Sequence, residues 1–468
     1  MQASWATSGL DLHLELAGSR SRRGLEHALR QAITDGRLLP GTRLPASRPL
    51  AADLGLARNT VAGAYAQLVA EGWLVARQGS GTRVAERPAG PRAAGQAAAP
   101  AAAAAGRSWR YDLRPGRPDL SSFPRREWLA AAGRALRRAP SAALGYGDPR
   151  GTAELREALA GYLARARGVR ADPSRILVCS GFTQALGLAG QALASLGITS
   201  AVIESHGLPA SRHILTAAGL SVRTMTVDAE GADPAAAGEA GAAVLTPAHQ
   251  FPLGVVLSPR RRARALAWAR DTGGVLIEDD YDGEFRYDRD PVGALQGLDP
   301  ERVVYAGTAS KTLAPGIRLA WLVLPAWLTG PAAAAKRLAD QHSEVLGQLT
   351  LAELIGSGGY DRHIRRRRLA YRRRRDHLLA TIARHAPGCR AEGISAGLHA
   401  LVRLPEGVTE QETVAAAAAR GLGLEGLGAY QAGTEQQPPA LVVGYATPPD
   451  HAFSTALARL RATLREIS

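Results

Sequence analysis

The chain has 468 residues, 46% of them hydrophobic and 21% charged, with a formal net charge of +15. That length allows two or three domains with cores of their own, and two cysteines, Cys179 and Cys389, exclude a disulfide framework or a cysteine metal site. No apolar window spans a bilayer and the N-terminus lacks a secretory pattern, so a cytoplasmic protein without a membrane partner is expected, its positive charge favouring a polyanion such as nucleic acid.

In chain order, Leu25, Leu29 and Ile33 before Gly36 describe an amphipathic helix. Ser47 is placed to cap a second helix through Leu50, Ala51 and Leu54, and Gly55 makes a tight turn. Arg58-Asn59-Thr60 opens a third helix with Val61, Tyr65 and Leu68 inward. Two short helices joined across a glycine turn have helix-turn-helix spacing. Residues 73–76 and 82–84 then alternate like strands about the turn Gln78-Gly79-Ser80-Gly81, which gives a wing. Residues 86–107, ERPAGPRAAGQAAAPAAAAAGR, have no apolar periodicity and read as a linker. The expected organisation is a unit over 1–85, a linker over 86–110 and a larger unit over 111–468.

In the larger unit, strand-like apolar runs recur near residues 176, 201, 243, 275, 303 and 320, mostly with helical patterns between them. A mainly parallel sheet with helices on both faces follows, then a smaller α/β subdomain from about residue 333. Ligands of such sheets bind beyond the carboxyl ends of the strands. Ser180-Gly181-Phe182-Thr183, His249-Gln250, Glu278 to Tyr281 and Gly307 to Lys311 gather there.

Of 57 basic residues only Lys311 and Lys336 are lysine. An amine forms a Schiff base with an aldehyde, which a guanidinium does not do. Thr308, Ser310, Arg318 and the backbone at 181–183 offer an anion site where a helix begins. Asp279 at a buried strand end calls for a cation, and the Tyr281 phenol is a donor for a ring oxygen. Aldehyde, phosphate, basic ring nitrogen and phenolic oxygen together describe pyridoxal 5'-phosphate. The histidines show no metal-ligand spacing, so no metal is expected.

Residues 111–468 resemble fold type I aminotransferases through YGDPRG (146–151), SGFTQAL (180–186), HQFPLG (249–254), EDDYDGEF (278–285) and GTASKTLAPGIR (307–318). Residues 25–84 resemble the GntR-type winged helix through LPASRPLA (44–51), ARNTVAGAY (57–65), LVAEGWL (68–74) and GSGT (79–82). Both halves in this order resemble the MocR-type regulators. The resemblance implies that Lys311 carries the cofactor, Asp279 faces its ring nitrogen, Tyr281 its ring oxygen, and Phe182, Thr183, Thr308, Ser310 and Arg318 its phosphate. Gln250 stands near a ring-oxygen asparagine of that family, one residue out of step. Tyr146 resembles a tyrosine lent across a homodimer to the neighbour's phosphate.

For DNA, the resemblance carries over Arg48, Arg58, Asn59 and Thr60, with Gln78, Gly79 and Ser80 in the wing approaching the minor groove or backbone. Residues 1–84 hold ten arginines against six acids, a net charge of +4. The run RHIRRRRLAYRRRR (362–375) reads as a solvated helix face, a second DNA contact being the alternative. Three departures stand out: Leu208 where an aromatic is usual, Ala210 where an arginine is, and Ala440-Leu441-Val442 where the family places a carboxylate-gripping arginine. A regulator that senses a small amine, or pyridoxal 5'-phosphate itself, and alters operator binding is therefore expected. The alternatives are an active aminotransferase with an attached DNA module and a constitutive DNA-binding dimer that has lost its cofactor.

Overall fold

The computed structural model describes residues 21–77, 81–86, 109–288, 292–434 and 437–467. The chain divides into two compact units, Met1–Arg107 and Ser108–Ser468. Gln78, Gly79 and Ser80 of the expected wing, and 87–108 of the expected linker, lie outside the described residues.

In the first unit, helix α1 (Arg22–Thr34) begins after Ser21, whose side-chain oxygen accepts from the Gly24 amide. Helices α2 (Ser47–Leu54) and α3 (Arg58–Ala70) follow. Between them Gly55 sits at φ 63°, a left-handed conformation that glycine adopts without a Cβ clash. Ser47 is not the expected cap: Ala46 holds that position without a side-chain bond, and Ser47 is already helical. Leu25, Leu29, Leu50, Val61, Tyr65 and Leu68 form one core. The Tyr65 hydroxyl donates to the Pro45 carbonyl at 2.9 Å, which holds α3 against the entry to α2. Strands β1 (Leu74–Arg77) and β2 (Gly81–Val84) pair antiparallel, Leu74 opposite Val84. The unit is a winged helix-turn-helix.

The second unit is built on a seven-stranded sheet. From one edge to the other its strands are Ile176–Cys179, Ala320–Val323, Val303–Thr308, Val275–Asp280, Ala242–Leu245, Ser200–Glu204 and Ser221–Met225. Ala320–Val323 runs against both neighbours, and the other pairs are parallel. The central strands are apolar on both sides because helices cover both faces. Leu186, Leu193 and Leu328 pack on one face, and Trp268, Leu266 and Ala269 on the other. This is the fold type I arrangement.

A three-stranded antiparallel sheet, Arg390–Glu392, Ala400–Arg403 and Ala440–Val443, follows. Helices Gly359–His385 and Asp450–Ile467 share its core through Tyr371, Leu378, Phe453 and Leu457. The arginine run 362–375 lies on the first of these helices, and it is not wholly solvated. Arg367 and Arg374 are buried, and Arg374 donates to Asp119 at 2.9 Å and to the Pro448 carbonyl at 2.8 Å. These two close the core over the 112–120 segment, while Arg362, Arg365, Arg366, Arg372 and Arg373 are exposed. Among the described residues no helix is long and apolar enough to cross a membrane.

Candidate functional site

A cavity of about 420 Å³ opens at the carboxyl ends of the central strands. Eight of the ten residues expected around a cofactor line it: Phe182, Thr183, Asp279, Tyr281, Thr308, Ser310, Lys311 and Arg318.

Strand Val275–Asp280 explains how one acid of Glu278-Asp279-Asp280 is selected. Side chains alternate across a strand, so Asp279 faces the cavity while its neighbours face the other way. Glu278 accepts from the Leu295 and Gln296 amides at 2.8 and 3.0 Å. Asp280 takes a two-point contact from buried Arg167 at 2.6 and 3.0 Å and the Tyr305 hydroxyl at 2.8 Å. Both neighbours are thereby occupied. Burial pushes the Asp279 carboxyl well above the usual carboxylate range, against the Lys311 charge that pulls it down. A cation arriving at the cavity face of Asp279 would restore its ionised form.

Lys311 follows strand Val303–Thr308 among small residues, and its Nζ donates to the Gly116 carbonyl at 2.5 Å. Burial lowers its pKa below the ordinary lysine value, and Asp279 and Asp282 oppose the shift. The amine is thus easier to deprotonate, as a nucleophile requires.

At the far end of the cavity, helix Phe182–Ser195 begins after Gly181 at φ 112°. A Cβ at Gly181 would lie 2.9 Å from the guanidinium nitrogens of Arg318, so this glycine admits the arginine to the helix N-terminus. Arg318 is itself at φ 52°; its backbone amide donates to the Pro315 carbonyl, while its guanidinium makes no hydrogen bond or ion pair among the described residues. Thr308 Oγ1 stands 2.9 Å from Ser310 Oγ. A cation, two hydroxyls and free amides at a helix start form a cradle for a doubly charged anion.

Two expected residues are not in this site. Gln250 is buried with its amide committed: Nε2 donates to the His206 carbonyl at 2.8 Å, the Phe251 carbonyl at 2.6 Å and Glu204 at 3.0 Å, and Oε1 accepts from the Leu253 amide. It braces the loop rather than contacting the cavity. Tyr146 is 94% exposed and lines no part of the cavity.

Several lining groups were missed from the sequence. Glu204 accepts from Thr246 at both its amide and hydroxyl, at 3.1 and 2.6 Å, and burial raises its pKa. Tyr281 lies 3.1 Å from His249 Nδ1, which contacts Asp282 at 2.8 Å, and burial keeps the Tyr281 phenol protonated. Leu208 does line the cavity where an aromatic is usual. Aromatic surface comes instead from Phe251 and Tyr430, edge to face with centroids 4.9 Å apart. His399 and the Gly116 carbonyl come from distant segments. Phe251 stands in the motif HQFPLG (249–254), but only the fold brings it to the cavity.

In the winged helix, Arg48, Arg58 and Asn59 are exposed and Thr60 is half-buried, at the first turns of α2 and α3. Arg48 and Arg58 have no ion pair among the described residues. No group of three metal-ligating side chains occurs among them either.

Comparison with known proteins matches both units. Residues 22–84 match the family "Bacterial regulatory proteins, gntR family", and residues 116–420 match "Aminotransferase class I and II". The chain is 34% identical over 403 residues to the uncharacterised HTH-type transcriptional regulator YhdI of Bacillus subtilis, covering 84% of this chain and 85% of that one. It is 30% identical over 414 residues to the HTH-type pyridoxine biosynthesis transcriptional regulator PdxR of Corynebacterium glutamicum, covering 88% of each. Among solved structures, the Pyrococcus horikoshii kynurenine aminotransferase superposes with a TM-score of 0.68 at 25% identity, over 77% of this chain and 91% of that one.

Proposed function

The chain belongs to the MocR-type transcription regulators, DNA-binding proteins that join a GntR-type winged helix to an aminotransferase-type domain, and we propose that its larger unit binds pyridoxal 5'-phosphate at Lys311 and passes the state of that site to operator binding. The observation that carries this reading is convergence: the amine of Lys311, the half-buried Asp279 and Arg318 at a helix N-terminus line one cavity. The eight expected residues that line the cavity support this reading.

When bound, pyridoxal 5'-phosphate supplies a carbonyl carbon and an electron-withdrawing ring. Asp279 would hold the proton at the ring nitrogen, its own desolvation relieved by that charge. Tyr281, kept protonated, would donate to the ring oxygen. Arg318, Thr308, Ser310 and the amides of Phe182 and Thr183 would hold the phosphate, and Lys311 would hold the carbonyl carbon until an amine takes its place. Tyr146, so exposed in one chain, would serve the second copy of a homodimer.

In this reading residues 1–85 contact DNA, 86–110 connect the units and 111–468 bind ligand and pair the chains in the cytoplasm. Arg48, Arg58, Asn59 and Thr60 would meet phosphates and base edges at a major groove, with Gln78, Gly79 and Ser80 beside the adjacent backbone. Spectral titration of the full chain with pyridoxal 5'-phosphate, run beside operator binding, tests the coupling. A visible imine band and a changed operator affinity are expected, and Lys311→Ala should lose both. Operator binding identical in cofactor-free, cofactor-loaded and Lys311→Ala protein would falsify the sensing role. Multiple turnovers with an amine donor and a 2-oxo acid would make the chain a working aminotransferase instead.

A further inference from the structure

We infer that the ligand taken up beside Lys311 is a primary amine with an apolar or aromatic body and no carboxylate, an inference that rests on the cofactor reading above.

The charge inventory of the cavity carries it. Among the described residues that line it, the lysine and arginine side chains are Lys311 and Arg318 alone. Arg318 stands at the helix N-terminus, the end assigned to the phosphate. Arginines near the remaining wall are occupied elsewhere. Arg212 donates to the Val222 and Ala432 carbonyls at 2.6 and 3.1 Å. Arg114 grips Asp112 in a two-point contact at 2.9 Å. Strand Ala440–Val443, where the family resemblance places a carboxylate-gripping arginine, is buried and apolar throughout.

Histidine does not supply the missing charge. His399 Nε2 lies 3.1 Å from the Pro252 carbonyl, which accepts only, so this nitrogen carries the hydrogen. Burial, reinforced by His249, pushes the His399 pKa down to about 3, so the ring is neutral and its Nδ1 is an acceptor. The Gly116 carbonyl beside Lys311 Nζ is an acceptor too. Around the point of attachment the protein therefore offers lone pairs, which suit an N–H and repel a carboxylate. Glu204 adds a further acidic group to the lining.

The rest of that wall is Leu208, Phe251, Leu398 and Tyr430. Burying an aromatic or branched alkyl body there is favourable in proportion to its apolar area. Burying a carboxylate without a partner is strongly unfavourable. The exchange balances without water or oxidant: the ligand nitrogen bonds the carbon that Lys311 Nζ releases, and the two hydrogens of the ligand amine pass to Lys311.

Phenethylamine and phenylalanine differ only by the carboxylate. The full-length protein loaded with pyridoxal 5'-phosphate is titrated with each, reading the visible imine spectrum and operator binding in parallel. Phenethylamine should act at a concentration at least about tenfold lower. An equal or tighter response to phenylalanine, or a loaded protein that responds to neither, overturns the inference and leaves the cofactor reading standing. If no imine band forms with pyridoxal 5'-phosphate alone, the cofactor reading falls and the inference with it.

Discussion

The two ends of the Lys311 cavity are made by opposite chemistry. At the helix end, Gly181 gives up its side chain, Arg318 adopts a left-handed backbone and two hydroxyls face inward, all toward anionic charge. At the other end Leu208, Phe251, Leu398 and Tyr430 present apolar surface, His399 is neutral, and Arg114 and Arg212 are tied to other groups. The fold retains what would hold a cofactor and omits what would hold an amino-acid carboxylate. A binding site that keeps one half of an enzyme's contacts is better suited to detecting a ligand than to turning one over.

The contrast is broken most directly at the polar end. Arg318→Ala removes a charge-assisted contact worth about 1.5–3 kcal/mol. Affinity for pyridoxal 5'-phosphate should fall about 10- to 100-fold in spectral titration, with the fold unchanged because the Arg318 side chain is exposed and makes no ion pair among the described residues. An affinity within twofold of the parent would show that the cradle is not the phosphate site. At the apolar end the informative change adds charge. Leu208 lines the cavity yet is 41% exposed, so Leu208→Arg should be tolerated. A solvent-screened cation is worth less than about 1 kcal/mol. The response to phenylalanine should therefore improve about two- to fivefold relative to phenethylamine, read from the same imine spectra. No improvement would place the carboxylate away from this wall.

Behind the strand the contrast takes a different form. Asp279 faces the cavity, whereas Glu278 on the same strand and Glu284 just beyond it are sealed in the interior. Burial first, and then the charge of Asp280, push both carboxyls up to about 7. Unfolded, they titrate near 4.3. Between those values the folded chain holds more protons than the unfolded chain, so stability falls as pH rises through that window. Glu284→Gln can keep the bond from the Tyr162 hydroxyl, now 3.1 Å from Glu284 Oε1, while removing the titration. Its melting temperature should decline less between pH 5 and 7 than that of the parent, by a few degrees at most. An unchanged slope would mean that these acids are ionised in the folded chain.

Much of this was legible in the sequence, for physical reasons. Strand runs and glycine turns are local properties, and local patterns survive without a fold. The lysines were legible too, though both have a reason. Lys336 is fully buried, donating to Asp340 at 2.6 and 2.7 Å and to Ser343 at 2.9 Å, a closed site that a compact ammonium fits better than a planar guanidinium. What was not legible came from distance along the chain. Arg167 meets Asp280, Gly116 meets Lys311, and Arg374 meets Asp119 across separations of 113, 195 and 255 residues. The arginine run misled because helical spacing alone does not say which of its members have an acid waiting in the core.

Gln250 shows where motif position and cavity position part, and it gives the smallest expected effect on binding. Its place near a ring-oxygen asparagine made it a cofactor contact on paper, whereas its amide ties the Glu204 carboxylate and two loop carbonyls together. Gln250→Ala strands those buried acceptors, at a cost of about 1–3 kcal/mol of stability. The cavity lining itself is left in place. Thermal unfolding should therefore shift downward while the affinity for pyridoxal 5'-phosphate, measured well below the melting temperature, changes less than about twofold. The reverse outcome, intact stability with affinity lost, would return Gln250 to the site. It would also mean that the loop from His249 to Gly254 closes around bound cofactor differently from its present form.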